Sequence, residues 1–308
     1  VNRQLLYFMA GVAGTLLLQV GVGALGPAGI VLALAIPLPA AFIVMRWGGK
    51  LGGVVVLGTA AIIAAGGEFV ACGGYLLQYA PPSLLLPLLL RRGIGWDRAV
   101  LATLVVLLTT GGLALAGLSA YQGRSVDAMV GEYVGSEVDR ALAAYGEADI
   151  PQDRLQDVQL FLKKSGELMV RAYPGLATVA AGTLLLLTTL ALALLAPGRY
   201  LFPGVPFHLW RVPELLIWPL IVAGFATFLF RGAPQTVGIN LLTMVLPVYF
   251  LQGLAIVTYF FRKRGFSPLF RAVGYLLIAV LNPLPLIVAG LGIFDLWADF
   301  RKPRIKKT

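Results

Sequence analysis

Residues 99–119 read AVLATLVVLLTTGGLALAGLS, a run of 21 residues without a charged side chain. About 20 consecutive apolar residues are what one α-helix needs to cross the hydrocarbon core of a bilayer. In hydrocarbon an unpaired backbone amide is costly, so only helices and closed barrels span it, and this run lacks the strict alternation of a barrel strand. The expectation is a transmembrane helix, and the rest of the sequence repeats it.

Nine apolar segments follow along the chain: Leu5 to Leu25, Ile30 to Trp47, Leu51 to Ala65, Phe69 to Leu90, Ala99 to Ser119, Tyr173 to Ala196, Leu215 to Phe230, Val237 to Phe261 and Val273 to Leu296. Of the 308 residues 59% are hydrophobic and 12% charged, and the mean hydropathy is +0.87. Soluble domains carry about twice that charged fraction. A soluble fold is excluded. The predicted class is all-α, a polytopic integral membrane bundle of eight to nine transmembrane segments with one polar, helical-hairpin insert.

Charge sets the predicted topology. The net charge of +10 sits in short clusters between apolar runs, the pattern of cytoplasmic loops and of anionic-lipid contacts, and no basic domain for nucleic acid is present. Arg46 with Lys50, Arg91 with Arg92 and Arg98, and Arg262 to Arg264 with Arg271 fall in alternate loops. These loops are expected in the bacterial cytoplasm, with the N-terminus cytoplasmic, the first helix retained and the insert outside the inner membrane. Nine simple spans would then leave the basic tail of Arg301, Lys302, Arg304, Lys306 and Lys307 outside, against the positive-inside rule. Asn282-Pro283-Leu284-Pro285 breaks the last segment midway, and the third segment is short and glycine-rich, so the count stays between eight and nine.

One membrane domain is expected, in three parts: N-terminal helices over 1–120, an extracytoplasmic amphipathic insert over 121–171, and C-terminal helices with the basic tail over 172–308. The insert carries net charge −3 against +13 for the remainder. Its apolar residues recur at helical steps in two stretches, Val126 to Tyr145 and Leu155 to Met169, punctuated by Gly146 to Pro151 with Asp149 as N-cap.

Chemistry is sparse. Cys72 and His208 are the only cysteine and histidine, which excludes an intrachain disulfide, a zinc knuckle and a multi-histidine metal site. Gly48-Gly49-Lys50 is followed by Leu51, with no hydroxyl for Mg²⁺, so the chain has no ATPase of its own. No catalytic residue, cofactor or metal is assigned, and no enzyme activity is expected. His208 lies among Tyr200, Phe202, Phe207 and Trp210, which read as an interfacial aromatic belt. Asp295 and Asp299 read as interface residues beside Trp297, Arg301 and Lys302.

Four side chains are the candidate ligand-binding residues. Glu68 sits among glycines between two apolar segments, where an acid either lines a cavity or occupies a headgroup-level turn. Gln78, Asn240 and Gln252 are amides inside spans, where they either read a polar ligand or bond to neighbouring helices. Interrupted helices, here Gly66 to Pro87 and Asn282 to Pro285, mark binding sites in transporters.

Tyr249-Phe250-Leu251-Gln252-Gly253-Leu254-Ala255, Phe260-Phe261-Arg262-Lys263-Arg264-Gly265 and Ile293-Phe294-Asp295-Leu296-Trp297-Ala298-Asp299-Phe300-Arg301-Lys302 resemble the YybS-like family of predicted bacterial membrane proteins, a domain of unknown function. More distantly, Gly74-Tyr75-Leu76 through Pro81-Pro82, with Leu88 to Gly93 and Trp96-Asp97-Arg98-Ala99, is similar to the substrate-binding subunits of energy-coupling-factor transporters. That likeness implies an outward-facing small-molecule pocket and an energising protein partner. The expected role is therefore substrate binding or transport, with a non-catalytic scaffold of the cell envelope as the alternative, and the lipid bilayer as partner in both.

Overall fold

A chain this apolar has to satisfy its backbone within itself, and the computed structural model does so with helices. It describes residues 3–147, 152–195 and 204–302. Asp149, the expected N-cap, Tyr200 and Phe202 of the aromatic belt, and Arg304, Lys306 and Lys307 of the tail lie outside the described residues.

In chain order the helices are α1 (Arg3–Leu25), α2 (Ile30–Ala33), α3 (Leu38–Trp47), α4 (Gly49–Ala65), α5 (Phe69–Arg91), α6 (Trp96–Gln122), α7 (Val126–Glu147), α8 (Gln152–Leu195), α9 (Ile217–Leu229), α10 (Ala233–Lys263), α11 (Pro268–Val280) and α12 (Leu284–Ala298). No strand occurs among the described residues. Among those residues five helices are long and apolar enough to cross a membrane: α1, Ile30–Trp47, α6, the Gln156–Leu195 part of α8, and α10. The pair α11 and α12, bent by 102°, makes a sixth if counted as one broken span. Eight or nine is not reached by length and composition, because α4 and Glu214–Leu229 are short apolar helices and α5 carries Gln78, two tyrosines and three prolines.

The chain divides into two compact units, 1–124 with 180–204, and 125–179 with 205–308. In the first, Val12, Ile43, Val55, Val56 and Tyr75 pack one core, and Met45, Leu86, Leu90, Leu185 and Leu192 pack another. The terminal carbonyls of α3 are capped by Arg91, whose Nη1 donates to Val44 and Met45 at 2.8 and 2.7 Å. A cation there also complements the helix dipole. The expected interruption over Gly66 to Pro87 is confined to a turn at Gly66 to Glu68, and α5 runs through Pro81, Pro82 and Pro87. Each proline removes one backbone donor only, and Ser83 Oγ ties the region to the Pro37 carbonyl at 3.4 Å.

In the second unit α7 pairs with α8 as the expected hairpin. A Cβ on Gly166 would stand 3.0 Å from Val138. The α9–α10 pair approaches as closely, with Gly238 against the backbone of Thr227 and Ala223. Two glycines let α10 and α12 cross backbone to backbone. A Cβ on Gly253 would lie 1.8 Å from the Val288 carbonyl oxygen, and one on Gly292 2.0 Å from that of Tyr249.

The break before α12 lets the chain return on itself within this unit. Pro283 and Pro285 start a new helix at a steep angle, and α12 ends at Asp299 in the left-handed region (φ 41°). The chain then turns back, and the Tyr259 hydroxyl donates to the Arg301 carbonyl at 3.3 Å. Arg301 and Lys302 therefore share the end of α10 that carries Arg262 to Arg264, instead of lying across from it.

Candidate functional site

Glu68 and Gln78 both lie in the first unit and are exposed. Glu68 occupies the N-cap position of α5 without a side-chain cap bond, at the turn. Ten residues along a helix separate the two, about 15 Å, so they do not converge.

Asn240 and Gln252 lie on α10, twelve residues or about 18 Å apart, and each belongs to a different constellation. Asn240 clamps α8 onto α10. Its Oδ1 accepts from the Gly175 backbone N–H at 2.8 Å, and its Nδ2 donates to the Arg171 carbonyl at 2.8 Å and to Thr236 at 2.9 Å. A cleft of about 530 Å³ opens beside it, lined by Asp127 from α7, Val170, Arg171, Tyr173 and Pro174 from α8, and Thr236, Val237 and Leu241 from α10. A second cleft of about 490 Å³ runs between α7 and α8 and carries Asp139, Lys163, Glu167 and again Arg171.

Gln252 belongs to a buried polar core. Its Oε1 accepts from the Val212 backbone N–H at 2.9 Å, and its Nε2 donates to Asp295 Oδ2 at 3.2 Å. Arg301 closes the network: Nη2 meets Asp295 Oδ2 at 2.6 Å, and Nη1 donates to the Trp210 carbonyl at 2.8 Å and that of His208 at 3.4 Å. The other Asp295 oxygen accepts from the Phe300 N–H at 3.0 Å. The Asp295 and Arg301 side chains are 0% and 3% exposed, and Arg301 Nε is buried without a hydrogen-bond partner. Two buried charges keep their charge only when paired and hydrogen-bonded, which this network supplies.

Around this core lies a wet rim. Arg262 Nη1 donates to His208 Nδ1 at 3.2 Å, so that nitrogen carries no proton. Burial first, then the charges of Arg262 and Arg301, hold the His208 pKa below its ordinary value. Asp299 pairs with Arg211 and, at 2.7 Å, with Lys302, and these hydrogen bonds, Lys302 first, pull its carboxyl down.

Sequence reading placed Asp295 at the interface. The structure buries it instead. The available signal was its position inside the apolar run Val273 to Leu296, since an acid at membrane depth is expected to hold a partner. Its partner six residues away was not legible, because it takes the Asp299 turn to bring Arg301 back.

The model of a family described as predicted membrane proteins, DUF2232, matches residues 13–296. The chain belongs to this family. It is a membrane protein, and the DUF2232 match takes in Asn240, Gln252 and Asp295 but stops before Arg301. No curated protein and no solved structure matches the chain.

Proposed function

We propose that this DUF2232 protein is a substrate-binding or transporter-like protein of the bacterial inner membrane, driven by a gradient or an energising subunit and not by its own ATPase. The observation that carries the reading is the cleft beside Asn240, where an acid, a cation, a phenol and a hydroxyl from α7, α8 and α10 meet above apolar side chains. Such a surface fits a small polar ligand with an apolar part. The distant resemblance of Gly74 to Ala99 to the substrate-binding subunits of energy-coupling-factor transporters points the same way, whereas Glu68 and Gln78 do not line this cleft.

The topology proposed with it has eight crossings and a re-entrant α11–α12 pair. The N-terminus and all basic loops are then cytoplasmic, as is the tail, and the insert and cleft are outside. From Asn240 to Arg262 is about 33 Å of helix, roughly one hydrocarbon thickness. In a Cys72→Ser background, an impermeant maleimide is expected to label Ser136→Cys in intact cells and Lys302→Cys only after permeabilisation.

Native mass spectrometry of protein gently extracted from its own membrane tests the binding reading. A retained polar metabolite, lost on Asp127→Asn or Arg171→Gln, supports it. The scaffold reading draws on the fact that Asn240 uses its amide on helix contacts, two bonds to α8 and one to the Thr236 carbonyl of its own helix. Recovery of lipid and an envelope protein alone, unchanged by either substitution, favours the scaffold and overturns transport.

A further inference from the structure

The basic end of α10 holds more positive charge than its acids neutralise. Arg301 is matched by buried Asp295, Arg211 and Lys302 share Asp299, and Arg262 bonds to His208. Two positive charges remain uncompensated within one cluster, before the exposed Lys263 and Arg264 are considered. Arg262 spends a guanidinium N–H on a neutral imidazole, not on a carboxylate, which is the bond a cation makes where an anion is missing.

Apolar groups flank the same end. Trp297, 68% exposed, and Phe294, 63% exposed, lie with ring centroids 6.4 Å apart and planes tilted by 57° on α12, in the last turns before Asp299. Tryptophan at this position marks the level where headgroups meet acyl chains. A site for free phosphate has no use for that apolar flank. The buried core, meanwhile, fixes the 207–212 loop, since His208, Trp210 and Val212 are all held by Arg301 or Gln252. Arg211 and His208 are thereby presented on a preorganised backbone.

We propose that Arg211, Arg262, Lys302 and His208 form a binding site for the phosphodiester headgroup of an anionic phospholipid, with its acyl chains along the Trp297 face of α12. The phosphate takes the place of the missing anion beside Arg262, and the neutral imidazole, unprotonated at Nδ1, offers its Nε2–H as a further donor. The site is separate from the ligand cleft, which lies at the other end of α10, so neither proposal depends on the other.

The test is native mass spectrometry of the full chain in neutral detergent, titrated with phosphatidylglycerol or with phosphatidylcholine of identical chains. Phosphatidylglycerol is expected to bind at least tenfold more tightly. The Arg211→Gln, Arg262→Gln double variant is expected to lose about fivefold per substitution, the equivalent of about 1 kcal/mol for each basic residue near an anionic surface. An Arg140→Gln, Lys164→Gln control, with the same loss of net charge on the polar insert, should bind as the native chain does. His208 is the only histidine, so its imidazole NMR signal gives a readout that needs no variant. Its titration should move upward when phosphatidylglycerol is added and stay still with phosphatidylcholine. Equal affinity for the two lipids, a double variant no weaker than the control, or an unmoved His208 titration overturns the proposal. So does displacement of the lipid by millimolar inorganic phosphate, which would mark a free-anion site.

Discussion

The two units differ in how most of their buried polar groups are satisfied, Ser83 of the first, tied to the Pro37 carbonyl, being the exception. In the first, Thr15 and Thr103 are buried, and each donates to the carbonyl four residues earlier on its own helix, Gly11 and Ala99. Such bonds satisfy the hydroxyl but join nothing to anything else. In the second, Asn240, Gln252, Asp295 and Arg301 bond across elements separated by up to 93 residues of sequence. Apolar packing and close helix contacts hold the first unit, whereas a polar network specifies the second. A group satisfied locally is cheap to replace, and one satisfied at a distance is not.

The sharpest way to break this contrast is Asp295→Ala, which strands a buried guanidinium. A loss of about 3–5 kcal/mol is expected, read as thermal unfolding in detergent. Gly292→Val puts a side chain onto the Tyr249 carbonyl and should cost about 1–3 kcal/mol or more by the same assay, because backbone on both sides blocks relief. Gln252→Leu keeps the volume but leaves the Val212 N–H unpaired, at about 1–2 kcal/mol. Acidification acts next. The unfolded chain takes up the His208 proton near the ordinary value of 6.5, before the folded chain does, so stability falls as pH drops below that value toward the lowered folded pKa. A His208→Gln variant should flatten the melting temperature across that window. Thr103→Val, in the first unit, is expected to change the melting temperature least, by the equivalent of about 0.5 kcal/mol or less. A large effect there would erase the distinction between the units.

The class of the protein was legible because hydrocarbon leaves the backbone one economical solution, and residues 99–119 display it openly. The α7–α8 hairpin and the break at Asn282 to Pro285 were also legible, from apolar periodicity and from proline chemistry. Asn240 could be singled out as an amide within a span, yet the cleft beside it could not, since Asp127 and Arg171 reach it from other helices. The Asp295–Arg301 pair was hidden for a related reason. Its geometry depends on one residue in a left-handed conformation, Asp299, and on a loop some 90 residues upstream in the chain. Sequence pattern reports what each helix needs locally. It is silent on which distant group supplies it.

In the proposed eight-crossing topology, Arg301 and Lys302 return to the end where Arg262 stays and neither has to cross the bilayer, where an arginine or lysine at the centre costs about 2.5–3.5 kcal/mol. Three of the groups that complete the Asp295 network, Trp210, His208 and Val212, precede it in the chain, so the buried ion pair works as a latch that holds this loop from the C-terminal side.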